Sequence, residues 1–497
     1  MWTPTTSTSS ICSHSIWICL FLVGIISSGA KASPLSDGPW GPTNPVADPV
    51  ATLIVPGPDN SQIRLTVLTS RLIRVERASS ANNNNADFEN RKTVAVINRN
   101  LPVPSFQHDI SYNNVLTVKT DCLTVTYSTG KTFSSSTFQV TGKMYCYYDS
   151  TKHSKEPSTT WSYHYGDQDP LNLLGTIRTL DVQNATTLNC TLMKSPASDH
   201  CEWGLISRSG YAIVNDTLNY VLSDDKDWWD GTNQDEEDFY VFGHGHDYSA
   251  ALGDYRLIGG SIPLLPRYAL GNWFSRWYDY TSSSAAEVVK RYEELSLPLD
   301  VFVLDMNWHT KNDWTGYSWD KRLWGGLKDA LAYMKTRDLA VTMNLHDASG
   351  VNPWEDQYDS MCRQVGCKGG DPINFSIVNE TIAYALEDVV LTPLEENGVD
   401  FWWIDWQQGE GGRGGAAGAK QNPTIWTAHI RSTNSNRRKT KRMEETSRSM
   451  VLARWGGLGA HRYPVHFSGD VDRLSWDNLA YQPYFSMVRS GADAGLL

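Results

Sequence analysis

Past residue 33 the sequence has no run of about 18 apolar residues, which excludes a membrane-spanning helix in that part of the chain. It is also short of positive charge: 43 Lys and Arg stand against 55 Asp and Glu, a net charge of −12. A general nucleic-acid binder would carry a basic stripe, so that class is set aside. The glycine-rich stretch Gly409–Lys420 has neither the GxxxxGK[ST] order of a phosphate loop nor a clear helix after it. The basic run Arg431–Arg448, centred on Arg437-Arg438-Lys439-Thr440-Lys441-Arg442, reads as a solvated loop or a faulty gene model rather than a nuclear or polyanion-binding patch. No His sits at ligand spacing beside Cys362 and Cys367, so a zinc site is not indicated and no metal is expected. Aromatic residues, in contrast, are plentiful: 20 Trp, 23 Tyr and 13 Phe among 497 residues. Indole faces pack on the C–H faces of pyranose rings, so this composition suits a sugar-binding protein. A large aromatic core would account for it equally well.

The first residues read as a targeting segment. An apolar run from Ile16 to Ile26 precedes Ser27, Ser28 and Gly29, then the small-x-small pattern Ala30-Lys31-Ala32. The run is too short for a stable anchor and suits a secretory signal, so residues 1–32 are expected to be cleaved, leaving no membrane span. The expected location is secreted or in an endomembrane lumen. Six cysteines then remain (Cys122, Cys146, Cys190, Cys201, Cys362 and Cys367), an even number that fits disulfides. Cys362/Cys367 and Cys190/Cys201 would close the shortest loops, but the pairing stays open. Asn184, Asn189, Asn215, Asn374 and Asn379 begin N-x-S/T sequons compatible with glycosylation.

Two patterns follow. From Val50 to Tyr148, short period-two runs such as Ile63–Val67, Leu72–Glu76, Val115–Val118 and Leu123–Tyr127 alternate with turn residues, which indicates a β-sandwich. Residues 150–235 are irregular. Near Leu270 the pattern changes to alternating strands and helices. Strands are expected at Leu270–Phe274, Val301–Asp305, Ala340–Leu345, Phe401–Asp405, Val451–Arg454 and Val465–Phe467. Helices are expected at Ala285–Leu295, Leu323–Thr336, Thr381–Glu396 and near Asn478–Val488. Repeated βα units with continuous apolar strands indicate a parallel sheet. The overall expectation is an α/β protein: a signal (1–32), an N-terminal β-sandwich with an irregular linker (33–268), and a (β/α)8 TIM-type barrel (269–497). About six of the eight barrel strands are present.

Polar and aromatic residues crowd the C-terminal ends of these strands, at Asp305, Asn344-Leu345-His346 and Trp403-Ile404-Asp405. That is where barrel enzymes keep their sites, although a doubly wound sheet also presents its strand ends to ligand. Asp405 ends Phe401-Trp402-Trp403-Ile404-Asp405, and Asp470 follows His466-Phe467-Ser468-Gly469. Acids flanked by aromatics are partly desolvated, and two of them on strand ends are the equipment of glycoside hydrolysis. Either could instead be a helix cap.

At these residues the sequence resembles the family-31 glycoside hydrolases, the α-glucosidase and α-xylosidase group. The resemblance includes Phe242-Gly243-His244-Gly245-His246-Asp247-Tyr248, Gly271–Trp277 and Val303–Trp308. It continues through Trp402–Gln408, Arg454–Gly457, His461–Pro464 and the segment ending at Asp470. It implies that Asp405 is the nucleophile and Asp470 the general acid/base. Asp305 and Arg454 would bind sugar hydroxyls, while Trp403 and Phe467 form apolar walls. Such a pair would retain the α configuration by double displacement on an oligosaccharide, with carboxyls roughly 5–5.5 Å apart and no cofactor. His346 reads as a satisfied strand-end histidine. The match weakens between Gly409 and Met450, and the family's seventh strand, which carries a substrate-contacting histidine, is not found before Leu497. The alternative to an active α-glycosidase is therefore a non-catalytic carbohydrate-binding relic or a fragment; a lyase or transglycosylase on the same scaffold is a third reading. Oligomeric state is not legible.

Overall fold

Five strands run parallel and in chain order through the part of the protein that carries the candidate acids: Trp273–Arg276, Val301–Leu304, Ala340–Leu345, Phe401–Ile404 and Val451–Ala453. The computed structural model describes residues 40–79, 87–146, 159–175, 203–217, 219–223, 228–233, 235–310, 314–347, 350–376, 379–405, 423–441, 449–454, 457–470 and 475–483. The signal segment, the sequons Asn184 and Asn189, Cys190, Cys201 and the glycine-rich stretch 409–420 lie outside these residues, as do Trp406–Gln408, Trp455 and Gly456 from the motifs above.

Alternation along the parallel strands explains why they sit in the middle of the layer. Phe302, Leu304, Val341, Met343, Leu345 and Trp402 enter one core, packed with helix residues such as Ala285, Val289, Leu331 and Leu391. Val301, Val303, Ala340, Phe401 and Trp403 enter a second core on the other face. A sheet buried on both faces has no polar face to offer water, hence the continuous apolar runs. The segment at Val465–Phe467 adds a sixth parallel partner through a bridge from Ala453 to His466, with Phe467 N donating to Ala453 O at 3.1 Å.

Several boundaries move. The first strand begins at Trp273 rather than Leu270, because Arg267–Leu270 forms a 3-10 turn. The helix expected at Leu323–Thr336 is two helices, Lys321–Trp324 and Leu327–Lys335, separated by Gly325 at φ +62°. The helix expected at Thr381–Glu396 holds its span but contains a π-helical turn, Leu386–Leu391. Within the expected Asn478–Val488 helix, the described part is Trp476–Pro483.

The basic run is the clearest correction. Pro423–Lys441 is a helix, so the first half of that run is not a loop. Ile425, Trp426, Ala428 and Ile430 enter a buried core, and Arg431 is buried with them. Arg431 Nε donates to Glu387 Oε1 at 3.0 Å and Nη1 to Asp347 Oδ2 at 3.1 Å, which replaces the solvent its charge would otherwise need.

The N-terminal half holds two five-stranded antiparallel sheets. In one, Thr52–Pro56, Ser61–Val67, Leu72–Ser79, Glu237–Phe242 and Ala212–Asn215 lie side by side. In the other, Phe106–Ile110, Val115–Thr120, Leu123–Ser128, Phe138–Lys143 and Thr160–His164 do so. Ile63, Leu65 and Val75 from the first meet Leu116, Val125, Phe138 and Trp161 from the second in one core. Disulfides join Cys122 to Cys146 and Cys362 to Cys367. At Gly245 (φ +59°) a Cβ would lie 2.0 Å from the Met144 carbonyl oxygen, so only glycine fits after His244.

The two halves share contacts. Val94, Ile97, Tyr220 and Leu222 pack with Ile404, Trp426 and Tyr463. Buried Arg462 donates from Nη2 to Val94 O at 2.5 Å and from Nη1 to Gly259 O at 2.6 Å. Among the described residues no helix is long and apolar enough to cross a membrane.

Candidate active site

The parallel strands release Arg276, Asp305, His346, Asp405 and Arg454 at or just beyond the same edge, and Asp470 follows the sixth segment. All six line one open cleft of about 1030 Å³, with Trp277, Trp314, Trp403 and Phe467 among its walls. The side chains converge because residues following C-terminal ends of neighbouring parallel strands point into the same space.

Asp405 is the most heavily engaged. Its Oδ2 accepts from Asn344 Nδ2 at 2.8 Å and lies 3.3 Å from His346 Nε2. Its Oδ1 accepts from Arg454 Nη1. Burial alone would push this carboxyl up. The hydrogen bond from His346 and the guanidinium of Arg454 outweigh it and hold the group at about 2, below its ordinary 3.8. Asp405 is therefore an ionised carboxylate at any physiological pH.

Arg454 also reaches Asp470: Nη2 lies 3.0 Å from Asp470 Oδ2. One buried guanidinium thus touches both acids. Their surroundings differ, since Asp470 keeps 62% of its side chain in solvent while Asp405 keeps 6%.

Asp305 starts a short 3-10 turn, Met306–Trp308, and its Oδ1 accepts from Met306 N at 2.7 Å and from Asn344 Nδ2 at 3.1 Å. Burial pushes its carboxyl up to about 6. The Met306 amide opposes that rise, and the charges of Asp405 and Asp470 add to it. Trp403 and Phe467 meet edge to face, centroids 5.4 Å apart, and Arg454 lies 5.5 Å from the Phe467 ring centre. Trp403 is both a core residue and a cleft wall, so the two readings of it do not compete.

All six residues singled out from the sequence, Asp305, Trp403, Asp405, Arg454, Phe467 and Asp470, therefore line one cleft. His346 is corrected: it is no satisfied strand-end histidine but a neighbour of Asp405, with Nδ1 buried and without a partner among the described residues. Asn344 stood out in the sequence only as a polar strand-end residue without a role, and Trp314 did not stand out. A polar amide inside the apolar run Val341–Leu345 was the available signal for Asn344; Trp314 lies on a connection whose spacing carries none.

Residues 262–492 match the family model described as the glycosyl hydrolases family 31 TIM-barrel domain. Over that segment, a little under half of the sequence, the chain is similar to that family's barrel domain. Over 219 residues it is 25% identical to an alpha-xylosidase of Saccharolobus solfataricus, covering 42% of this chain and 28% of that protein. Over 104 residues it is 32% identical to alpha-glucosidase 2 of Bacillus thermoamyloliquefaciens, covering 21% of this chain and 13% of that protein. The aligned segments thus span well under half of these relatives. Among solved structures, the family-31 alpha-xylosidase of Xanthomonas citri superposes with a TM-score of 0.61 at 13% identity, over 90% of this chain and 68% of that one. The family-31 dextranase of Flavobacterium johnsoniae, complexed with glucose, gives 0.60 at 14% identity, over 87% and 57%. At such identity these two likenesses speak for the fold.

Proposed function

We propose that the protein is a retaining α-glycosidase that removes terminal α-linked glucosyl or xylosyl residues from oligosaccharides by double displacement. The observation that carries this reading is the unequal treatment of two carboxylates by one guanidinium. Asp405 is buried, fully hydrogen-bonded and ionised, as a nucleophile must be; Asp470 is exposed and able to exchange protons with water. In the first step an oxygen of Asp405 bonds to the anomeric carbon while the glycosidic C–O bond breaks and Asp470 protonates the leaving oxygen. A water then attacks the β-glycosyl ester, giving its proton to Asp470 and releasing Asp405 and an α-configured sugar. Asp305 and Arg454 would bind vicinal hydroxyls in pairs, and Trp403 and Phe467 would exclude water.

In this reading residues 1–32 are a secretory signal, 33–268 form a β-sandwich domain with its linker, and the parallel strands of 269–497 belong to a (β/α)8 barrel. The alpha-xylosidase and alpha-glucosidase names of the relatives support the choice of sugars. Asp405→Asn and Asp470→Asn, assayed on aryl α-glucosides and α-xylosides, test the reading. Each is expected to lose at least about 100-fold in turnover. Wild-type turnover in either variant overturns its assigned role. A wild-type protein that binds maltose without hydrolysing any α-glycoside would favour a carbohydrate-binding relic.

A further inference from the structure

We propose that His346 is a positioning residue for the nucleophile: its Nε2–H holds Oδ2 of Asp405, so that Oδ1 is the oxygen that attacks. The inference rests on Asp405 being the nucleophile.

The hydrogen-bond inventory of Asp405 divides its two oxygens. Oδ2 faces two donors carried by one strand and its end, Asn344 Nδ2 at 2.8 Å and His346 Nε2 at 3.3 Å. Among the described residues Oδ1 accepts from Arg454 alone. Arg454 also reaches Asp470 across the cleft, so a sugar whose hydroxyls draw its guanidinium away would uncover Oδ1. Nothing comparable would free Oδ2. The two oxygens of the carboxylate are therefore inequivalent before any substrate arrives.

The tautomer of His346 follows from its surroundings. Nδ1 is buried with no partner among the described residues, and a proton there would be an unpaired donor. The proton belongs on Nε2, where Asp405 accepts it. The ring is also fixed from outside. Thr315 Oγ1 donates to the His346 carbonyl, and the Trp314 indole lies against the imidazole at 4.9 Å between centroids. The next residue, Asp347, is pinned by Tyr317 Oη at 2.7 Å and Arg431 Nη1 at 3.1 Å. A histidine serving only as filler would not need its backbone held on both sides.

Asp405 is faced by Asp305, Asn344 and His346, by Arg454 and by Asp470, so any change in its titration must be read against all five. Removing His346 withdraws a donor that favours the ionised form of Asp405. The test compares kcat/KM on an aryl α-glucoside as a function of pH, with melting temperatures, for His346→Phe, His346→Asn and His346→Gln. The Gln amide can reach Oδ2; the Asn amide is too short. His346→Phe and His346→Asn are expected to lose about 10- to 100-fold in kcat/KM, with the acid limb moved up by about one pH unit. His346→Gln is expected to recover most of both. A folded His346→Asn with an unmoved acid limb overturns the positioning role, even if His346→Phe fails to fold. Turnover by Asp405→Asn would remove the nucleophile and this proposal with it, whereas an inactive Asp405→Asn beside an unmoved acid limb in the His346 variants would overturn this proposal alone.

Discussion

Asn344 donates to Asp405 Oδ2 at 2.8 Å, and the same Nδ2 lies 3.1 Å from Asp305 Oδ1. One buried amide thus sets the separation of two carboxylates that would otherwise repel. Asn344→Leu keeps the volume and removes the donor. It should cost about 1–3 kcal/mol of transition-state stabilisation, read as a 10- to 100-fold fall in kcat/KM. Steady-state kinetics on an aryl α-glucoside checks this, and an unchanged kcat/KM would show the amide to be dispensable.

Asp305 should trade stability for function. Its carboxyl is raised from 3.8 to about 6, so between pH 4 and 6 the folded chain binds more protons than the unfolded one. Stability from this group is present below about pH 4, falls as pH rises to about 6, and is flat above. Asp305→Asn removes the charge but keeps an acceptor for the Met306 amide. It should stabilise the protein at pH 7 by about 1–2 kcal/mol, with little effect at pH 4 and with loss of activity. Thermal melts at the two pH values would decide it; equal shifts at both would contradict the account.

Asp405 has the opposite sign. Held at about 2, its contribution is present above pH 4 and is lost as pH falls toward 2. Asp405→Asn should therefore flatten the acid side of the stability profile, measured by urea unfolding between pH 2.5 and 5. An acid limb as steep as that of the wild type would place the acid-labile group elsewhere.

Arg431 is buried between Asp347 and Glu387. Arg431→Met would strand two carboxylates and should destabilise by about 3–5 kcal/mol. Urea denaturation gives the value, and a change below about 1 kcal/mol would mean that the network relaxes.

The two disulfides close loops of unequal length, with sequence separations of 24 and 5. By loop entropy, replacing the Cys122–Cys146 pair with alanines should cost about 3.5 kcal/mol, and replacing Cys362–Cys367 about 2 kcal/mol. The order of the two melting temperatures checks this.

The candidate acids were legible because a parallel strand is buried on both faces. Against Val301–Leu304 or Phe401–Ile404, a terminal Asp stands out as the one residue that cannot be core. The role of His346 was not legible, since its partner lies 59 positions away and pairing across adjacent strands leaves no local trace. The helix Pro423–Lys441 was hidden by its own composition: Arg437–Lys441 drew attention to charge, while the buried Ile425, Trp426 and Ile430 held the helical signal. The first strand slid by three residues because hydrophobicity extends back into Tyr268–Leu270, whereas Gly271 must pass against Asp300, where a Cβ would lie 2.1 Å from its carboxyl.

Arg462 caps the Val94 carbonyl from 368 positions further along the chain. During synthesis this oxygen leaves the ribosome long before its partner does. At about 5–20 residues per second the wait is roughly 20 to 70 s. For that interval Val94 and its apolar neighbours Ile97, Tyr220 and Leu222 have neither Arg462 nor Trp426 against them. The nascent N-terminal half is thus an unfinished surface whose closing piece is translated much later. A chaperone that shields apolar patches would have its longest engagement there.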